Sequence, residues 1–168
     1  MASELAQLVA GLSAPDSQKR VRAAEQLARL GPDARPAAVN LVKAAGDVCE
    51  EVREYIAAAL EGIGPPRLED SFLLPGLLSS PSPDVGYWTA TLLGRLKADA
   101  ASAVPGLSDA LRGSTALSVR ERAAWALGQI GPPAATALDL LRDVASQGDP
   151  QLTRLVRLAR EAIRQIGG

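Results

Sequence analysis

The chain has 168 residues, 47% apolar but only 3% aromatic, so its apolar mass is Ala, Leu, Val and Ile, a balance that suits closely packed helices. Eighteen basic residues against 19 acidic ones leave a net charge of −1, without the cationic excess a dedicated nucleic-acid binder carries. There is no histidine and one cysteine, Cys49, which excludes an imidazole-based acid–base or nucleophile relay, an intramolecular disulfide and a thiolate zinc cluster.

Along the chain, short apolar segments at helical spacing alternate with breaks. Leu5, Leu8, Val9 and Leu12 form the first, closed by Ala14-Pro15-Asp16; residues 19–31 follow as KRVRAAEQLARLG. Val39, Leu41 and Val42 lead to a break at Gly46-Asp47 and then to residues 52–64, VREYIAAALEGIG. Leu73, Leu74, Leu77 and Leu78 precede Ser82-Pro83-Asp84 and residues 85–97, VGYWTATLLGRLK. Val104, Leu107 and Leu111 precede Gly113-Ser114 and residues 119–131, VRERAAWALGQIG. Leu138, Leu140, Leu141 and Val144 precede Gly148-Asp149-Pro150 and residues 155–167, LVRLAREAIRQIG. The breaks carry turn and N-cap chemistry. Pro75 and Pro105 predict a kink or a late helix start. Glu4 and Gln7 interrupt the N-terminal apolar run, and no apolar stretch is long enough to span a bilayer, so a soluble, cytoplasmic chain without membrane contact is expected.

The five thirteen-residue blocks start at 19, 52, 85, 119 and 155, a spacing of 33, 33, 34 and 36 residues, which marks an internal repeat. Aligned by column, position one is Lys19, Val52, Val85, Val119, Leu155; five is Ala23, Ile56, Thr89, Ala123, Ala159; nine is Leu27, Leu60, Leu93, Leu127, Ile163; twelve is Leu30, Ile63, Leu96, Ile130, Ile166. These columns fall on one helical face, the predicted core side. Column six is Ala24, Ala57, Ala90 and Ala124, allowing close helix approach, before it becomes Arg160. Gly31, Gly64, Gly131 and Gly167 close four blocks in the C′ position, and Lys97 stands there in the third. The prediction is an all-α, right-handed solenoid of five helical hairpins, about ten helices, forming one domain over 1–168 with repeats near 3–31, 34–64, 67–97, 100–131 and 134–167.

The pattern VR-x-x-AA-x-AL-x-x-IG, as in Val119-Arg120…Ala123-Ala124…Ala126-Leu127…Ile130-Gly131 and Val52-Arg53…Leu60…Ile63-Gly64, resembles the second helix of HEAT repeats, particularly the short type of the phycobilisome lyases. The resemblance covers essentially the whole chain. It implies a protein-binding scaffold, the role of most relatives, with a minority of enzymes among them. An iron hydroxylase that uses His–Glu pairs does not fit a chain without histidine, and the basic face of a helical-repeat DNA glycosylase does not fit a net charge of −1. The resemblance further implies that Arg at column two (Arg20, Arg53, Arg120) pairs with a nearby Asp, the candidates being Asp16, Asp47 and Asp84. Gly86 and Val156 interrupt that column.

In HEAT solenoids the second helices line the concave face, so columns four, seven and eleven are expected to be open. They hold Arg22, Tyr55, Trp88, Arg122 and Leu158; Glu25, Ala58, Thr91, Trp125 and Glu161; and Arg29, Gly62, Arg95, Gln129 and Gln165. Three of the five aromatic residues fall there beside arginines, a composition typical of interface hot spots. The candidate partner-binding residues are therefore Arg22, Tyr55, Trp88, Arg95, Arg122 and Trp125, facing a protein or peptide in the groove. The competing reading is that the aromatics fill gaps between layers, and because Trp88 follows Tyr87, one of the two must face inward. No catalytic residue, metal or cofactor is expected: Glu50, Glu51 and Glu54 beside Cys49 suit a helix start, and the glycines end helices rather than cradle phosphate. Two alternatives stand beside the scaffold: an accessory enzyme of the bilin-lyase kind, and a backbone-type nucleic-acid binder using Arg22, Arg29, Arg95 and Arg122. In the fifth block Arg157, Arg160 and Arg164 read either as the wet face of a terminal repeat or as a basic docking patch.

Overall fold

A computed structural model describes residues 2–167. Its regular elements are all helical: nine α-helices and six short 3₁₀ segments among the described residues. None of these helices is long and apolar enough to cross a membrane. The chain groups into two compact units, Met1–Asp70 and Ser71–Gly168.

In the first unit α1 (Ala2–Gly11) and α2 (Ser17–Leu30) form one hairpin, and α3 (Ala38–Ala44) and α4 (Glu50–Gly62) the next. A 3₁₀ segment, Gly31–Ala37, joins them, and α2 packs alongside α4. Asp16 caps α2 by accepting from the Gln18 amide at 2.8 Å. Leu27, Leu41, Val42, Val52, Ile56, Leu60 and Ile63 are fully buried between the hairpins. Each contributes about 1.5–3 kcal/mol of transfer free energy, so this face holds the unit together.

In the second unit α5 (Pro83–Arg95), α7 (Leu117–Ile130) and α9 (Thr153–Gly167) lie side by side, with α6 (Val104–Gly113) against α7 and α8 (Leu138–Ala145) against α9. Leu92, Leu93, Leu107, Leu111, Leu127, Leu141 and Leu155 form its core. All five second helices begin within two residues of the aligned blocks, and column five is buried in every one. Thr89, the polar member of that column, donates to the Val85 carbonyl at 2.7 Å, which removes the penalty of burying its hydroxyl.

Two local departures from the sequence expectation have steric causes. The first helix of the third repeat is absent as an α-helix; 3₁₀ pieces at Leu68–Phe72 and Leu74–Leu77 replace it, with Pro75 removing the amide that a helix needs. Nine α-helices therefore stand where about ten were expected. Pro105 instead sits in the first turn of α6, where a missing amide costs nothing. Three of the four block-ending glycines, Gly31, Gly64 and Gly131, adopt positive φ, whereas Gly167 is the last residue of α9; Gly31 at φ 52°, ψ −126° and Gly131 at φ 74°, ψ −144° lie outside the left-handed helical well, in territory that favours glycine alone. Lys97 takes positive φ (54°) at the same place in the third repeat.

Candidate functional site

Column two is where the sequence builds the turns. In the first unit the Arg20 guanidinium donates to both carboxylate oxygens of Asp47, at 2.7 and 3.0 Å. Its remaining nitrogen donates to the carbonyls of Ala14 and Pro15, at 3.0 and 3.2 Å. Asp47 also accepts from the Cys49 amide at 2.8 Å. Burial pushes the Asp47 carboxyl up, but the hydrogen bonds from Arg20 and the Cys49 amide outweigh it and hold the group below its usual range. The Arg20 hydrogen bond to Asp47 in turn raises the guanidinium. Arg53 donates to the carbonyls of Asp47 and Val48 at 2.8 and 3.3 Å, the same two offsets that Arg20 uses. In the second unit Arg120 donates to the carbonyl of Leu111, in the last turn of α6, at 3.1 Å. The pairing implied by the resemblance is thus made by Arg20 with Asp47, the acid of the following turn. Arg20 and Arg53 also tie down turn carbonyls that would otherwise lack donors.

The candidate stripe residues divide between the units. In the first, Arg22 is exposed on α2 and Tyr55 is half-buried on α4. Beside Arg22, Arg29 pairs with Glu25 one turn away at 2.7 Å. In the second, Trp88 is only 7% exposed, contrary to the open position its column implied. The reason is that α5 is covered round most of its circumference, Thr91 of column seven included. Tyr87 takes the open side instead and meets the Trp88 ring edge-on, centroids 5.5 Å apart. Arg95 and Trp125 are half-buried.

Arg122 gathers this part of the surface. Its guanidinium lies 4.4 Å from the Tyr87 ring centroid and 5.0 Å from that of Trp125, and it donates to the Tyr87 hydroxyl. Two ring faces around one cation supply attraction that water competes with poorly. The Trp125 ring rests over Gly94 of α5, where an added methyl group would overlap it. Beside them Tyr87, Glu121, Arg122, Trp125, Arg154 and Leu158 line a recess of about 60 Å³, with Arg154 3.4 Å from Glu121.

The structure thus brings together Arg122 and Trp125 from the sequence-derived set and adds Tyr87, which the columns left out. Gly94 was the available signal: glycine at column ten of one repeat makes room for a large ring at column seven of the next. Gly128 gives the same close approach, an added methyl there overlapping Gln165 and Ala162 of α9.

A family model described as HEAT repeats matches residues 70–164, more than half of the chain. No curated protein matches. Among solved structures, two engineered proteins share the fold at 23% identity. One has a TM-score of 0.61, with 97% of this chain and 79% of the other covered; the second has a TM-score of 0.63, with 98% and 48% covered, so this chain spans about half its length. The columns, the turn chemistry and the family match agree: this chain belongs to the HEAT-repeat family.

Proposed function

We propose that the chain is a non-catalytic scaffold that holds another protein or a peptide, and that in the second unit its contact surface is centred on Tyr87, Arg122 and Trp125, with Arg95 at the side. The observation that carries this reading is the aromatic clamp on Arg122. A guanidinium held between two rings over a recess combines the three side-chain types that dominate protein-binding hot spots. Holding it in place in advance lowers the ordering cost of binding. Arg22 and Tyr55 occupy the same column as Arg122 and are the candidate contact residues of the first unit, taken by itself. Trp88 serves as packing beneath Tyr87 in this reading. The absence of histidine from the sequence supports a role that does not involve proton transfer.

The test is capture of partner from the native host by the wild type and by Arg122→Ala and Trp125→Ala variants, with helical circular dichroism as the folding control. The proposal expects each folded variant to lose at least about tenfold in affinity, the scale of a hot-spot truncation. Capture unchanged in both would reject the surface.

A further inference from the structure

The column-two arginine is missing twice, at Gly86 and Val156, and each gap coincides with a cavity of the second unit. The cavity at Val156 measures about 310 Å³ and includes Arg160, which donates to the Ala145 carbonyl at the end of α8 at 3.2 Å. An arginine one helical turn further along therefore reaches a carbonyl in the last turn of the preceding helix, as Arg120 does at Leu111. The cavity at Gly86 is larger, about 510 Å³, within the roughly 300–1,000 Å³ range of small-ligand sites. Ser80, Pro81, Gly86, Gly106, Ser114 and Val119 are among the residues that line it.

The register of the first two repeats says what this groove lacks. Arg20 donates to the carbonyls six and five residues before it, Ala14 and Pro15; Arg53 does so to Asp47 and Val48. Counting back from Gly86 gives Ser80 and Pro81, both on the groove wall. Among the described residues neither carbonyl has a donor. The place of Asp47 is taken on the opposite wall by Ser114. Its hydroxyl accepts from the Ala116 amide at 3.3 Å, as the Asp47 carboxylate does from Cys49. The Leu78 carbonyl comes within 3.8 Å of where a Gly86 side chain would begin.

We infer that the groove at Gly86 is a socket for an arginine side chain of a partner polypeptide, which donates from outside the hydrogen bonds that this repeat's own arginine would make. Specificity comes from the fork: a guanidinium reaches two carbonyls and a hydroxyl at once, whereas an ammonium is a compact point donor. This surface does not depend on the Arg122 clamp.

The test is a nuclear magnetic resonance titration of the isotope-labelled full chain with acetyl-Gly-Gly-Arg-Gly-Gly-amide, and with the same peptide carrying lysine. Saturable amide shifts confined to the neighbourhood of Ser82, Gly86, Ser114 and Ala116 are expected. Lysine should bind about fivefold more weakly, as expected for loss of the fork geometry. Gly86→Arg should abolish the shifts by filling the socket from within. A side chain there begins 3.2 Å from a Val119 methyl. Gly113→Trp, whose Cβ position meets nothing within 4 Å, is the second blocking variant should the first fail to fold. Absence of saturable shifts, equal response to lysine, or shifts that persist in a folded blocked variant would overturn the inference.

Discussion

The turn around Asp47 and the turn around Ser80 are built on the same register and end differently. In the first, Arg20 and Arg53 converge on the turn, one on the Asp47 carboxylate and the other on its carbonyl, and the chain satisfies its own acceptors. In the second, Gly86 removes the arginine and a 510 Å³ groove takes its place. The difference teaches that one column can be structure in one repeat and an open binding position in another. Conversely, Arg160 shows that a gap in the column can be answered from a neighbouring position of the same helix.

The largest effect should come from emptying the filled turn. Arg20→Ala leaves Asp47, whose side chain is only 11% exposed, without its fork, and strips the donor from the Ala14 and Pro15 carbonyls. A fall in melting temperature of about 5 °C is expected by thermal circular dichroism, given the cost of unsatisfied partly buried groups. No fall would mean that the turn does not rely on column two.

The next effect concerns the ring that glycine admits. Gly94→Ala should destabilise the chain by about 1–2 kcal/mol through overpacking, despite alanine's better helix propensity, and should shift Trp125 emission as the ring is displaced. Chemical denaturation and fluorescence read both quantities. Smaller, and of opposite sign, Lys97→Gly should stabilise by about 0.5–1 kcal/mol, because glycine carries no Cβ penalty at positive φ.

The smallest effect is one of pH. Asp47 titrates below its unfolded value in the folded chain, so its contribution is fully present above the ordinary carboxylate range and is lost as pH falls through the folded value. The stability gap between wild type and Asp47→Asn should therefore be constant near neutrality and close on acidification. A gap that widens in acid would contradict the assignment of Asp47 as the stabilised anion of the turn.

Much of the fold was legible because its determinants are local and repeat. Helical spacing at columns one, five, nine and twelve, and glycine at the block ends, each leave a mark in the sequence that five copies amplify. The third repeat shows where this stops. Its leucines have helical spacing, yet Pro75 leaves only 3₁₀ pieces, and propensity gives no measure of how much of a helix survives. The site was legible less fully. Column positions name the residues on a stripe but not how far neighbours cover it, so Trp88 and Thr91 fall inside while Tyr87 stays half-buried at the surface. Cation–ring pairing between α5 and α7 depends on a lateral register of the helices that no single repeat encodes. The open turn at Gly86 was visible as a broken column, but its size comes only with the coordinates.

The most direct test of the column-two account is a crystal structure of the Gly86→Arg variant. If this position is an arginine seat left vacant, the new guanidinium will lie within hydrogen-bond distance of the Ser80 and Pro81 carbonyls, and the groove will close. A guanidinium extended into solvent, with the groove still open beneath it, would contradict the account.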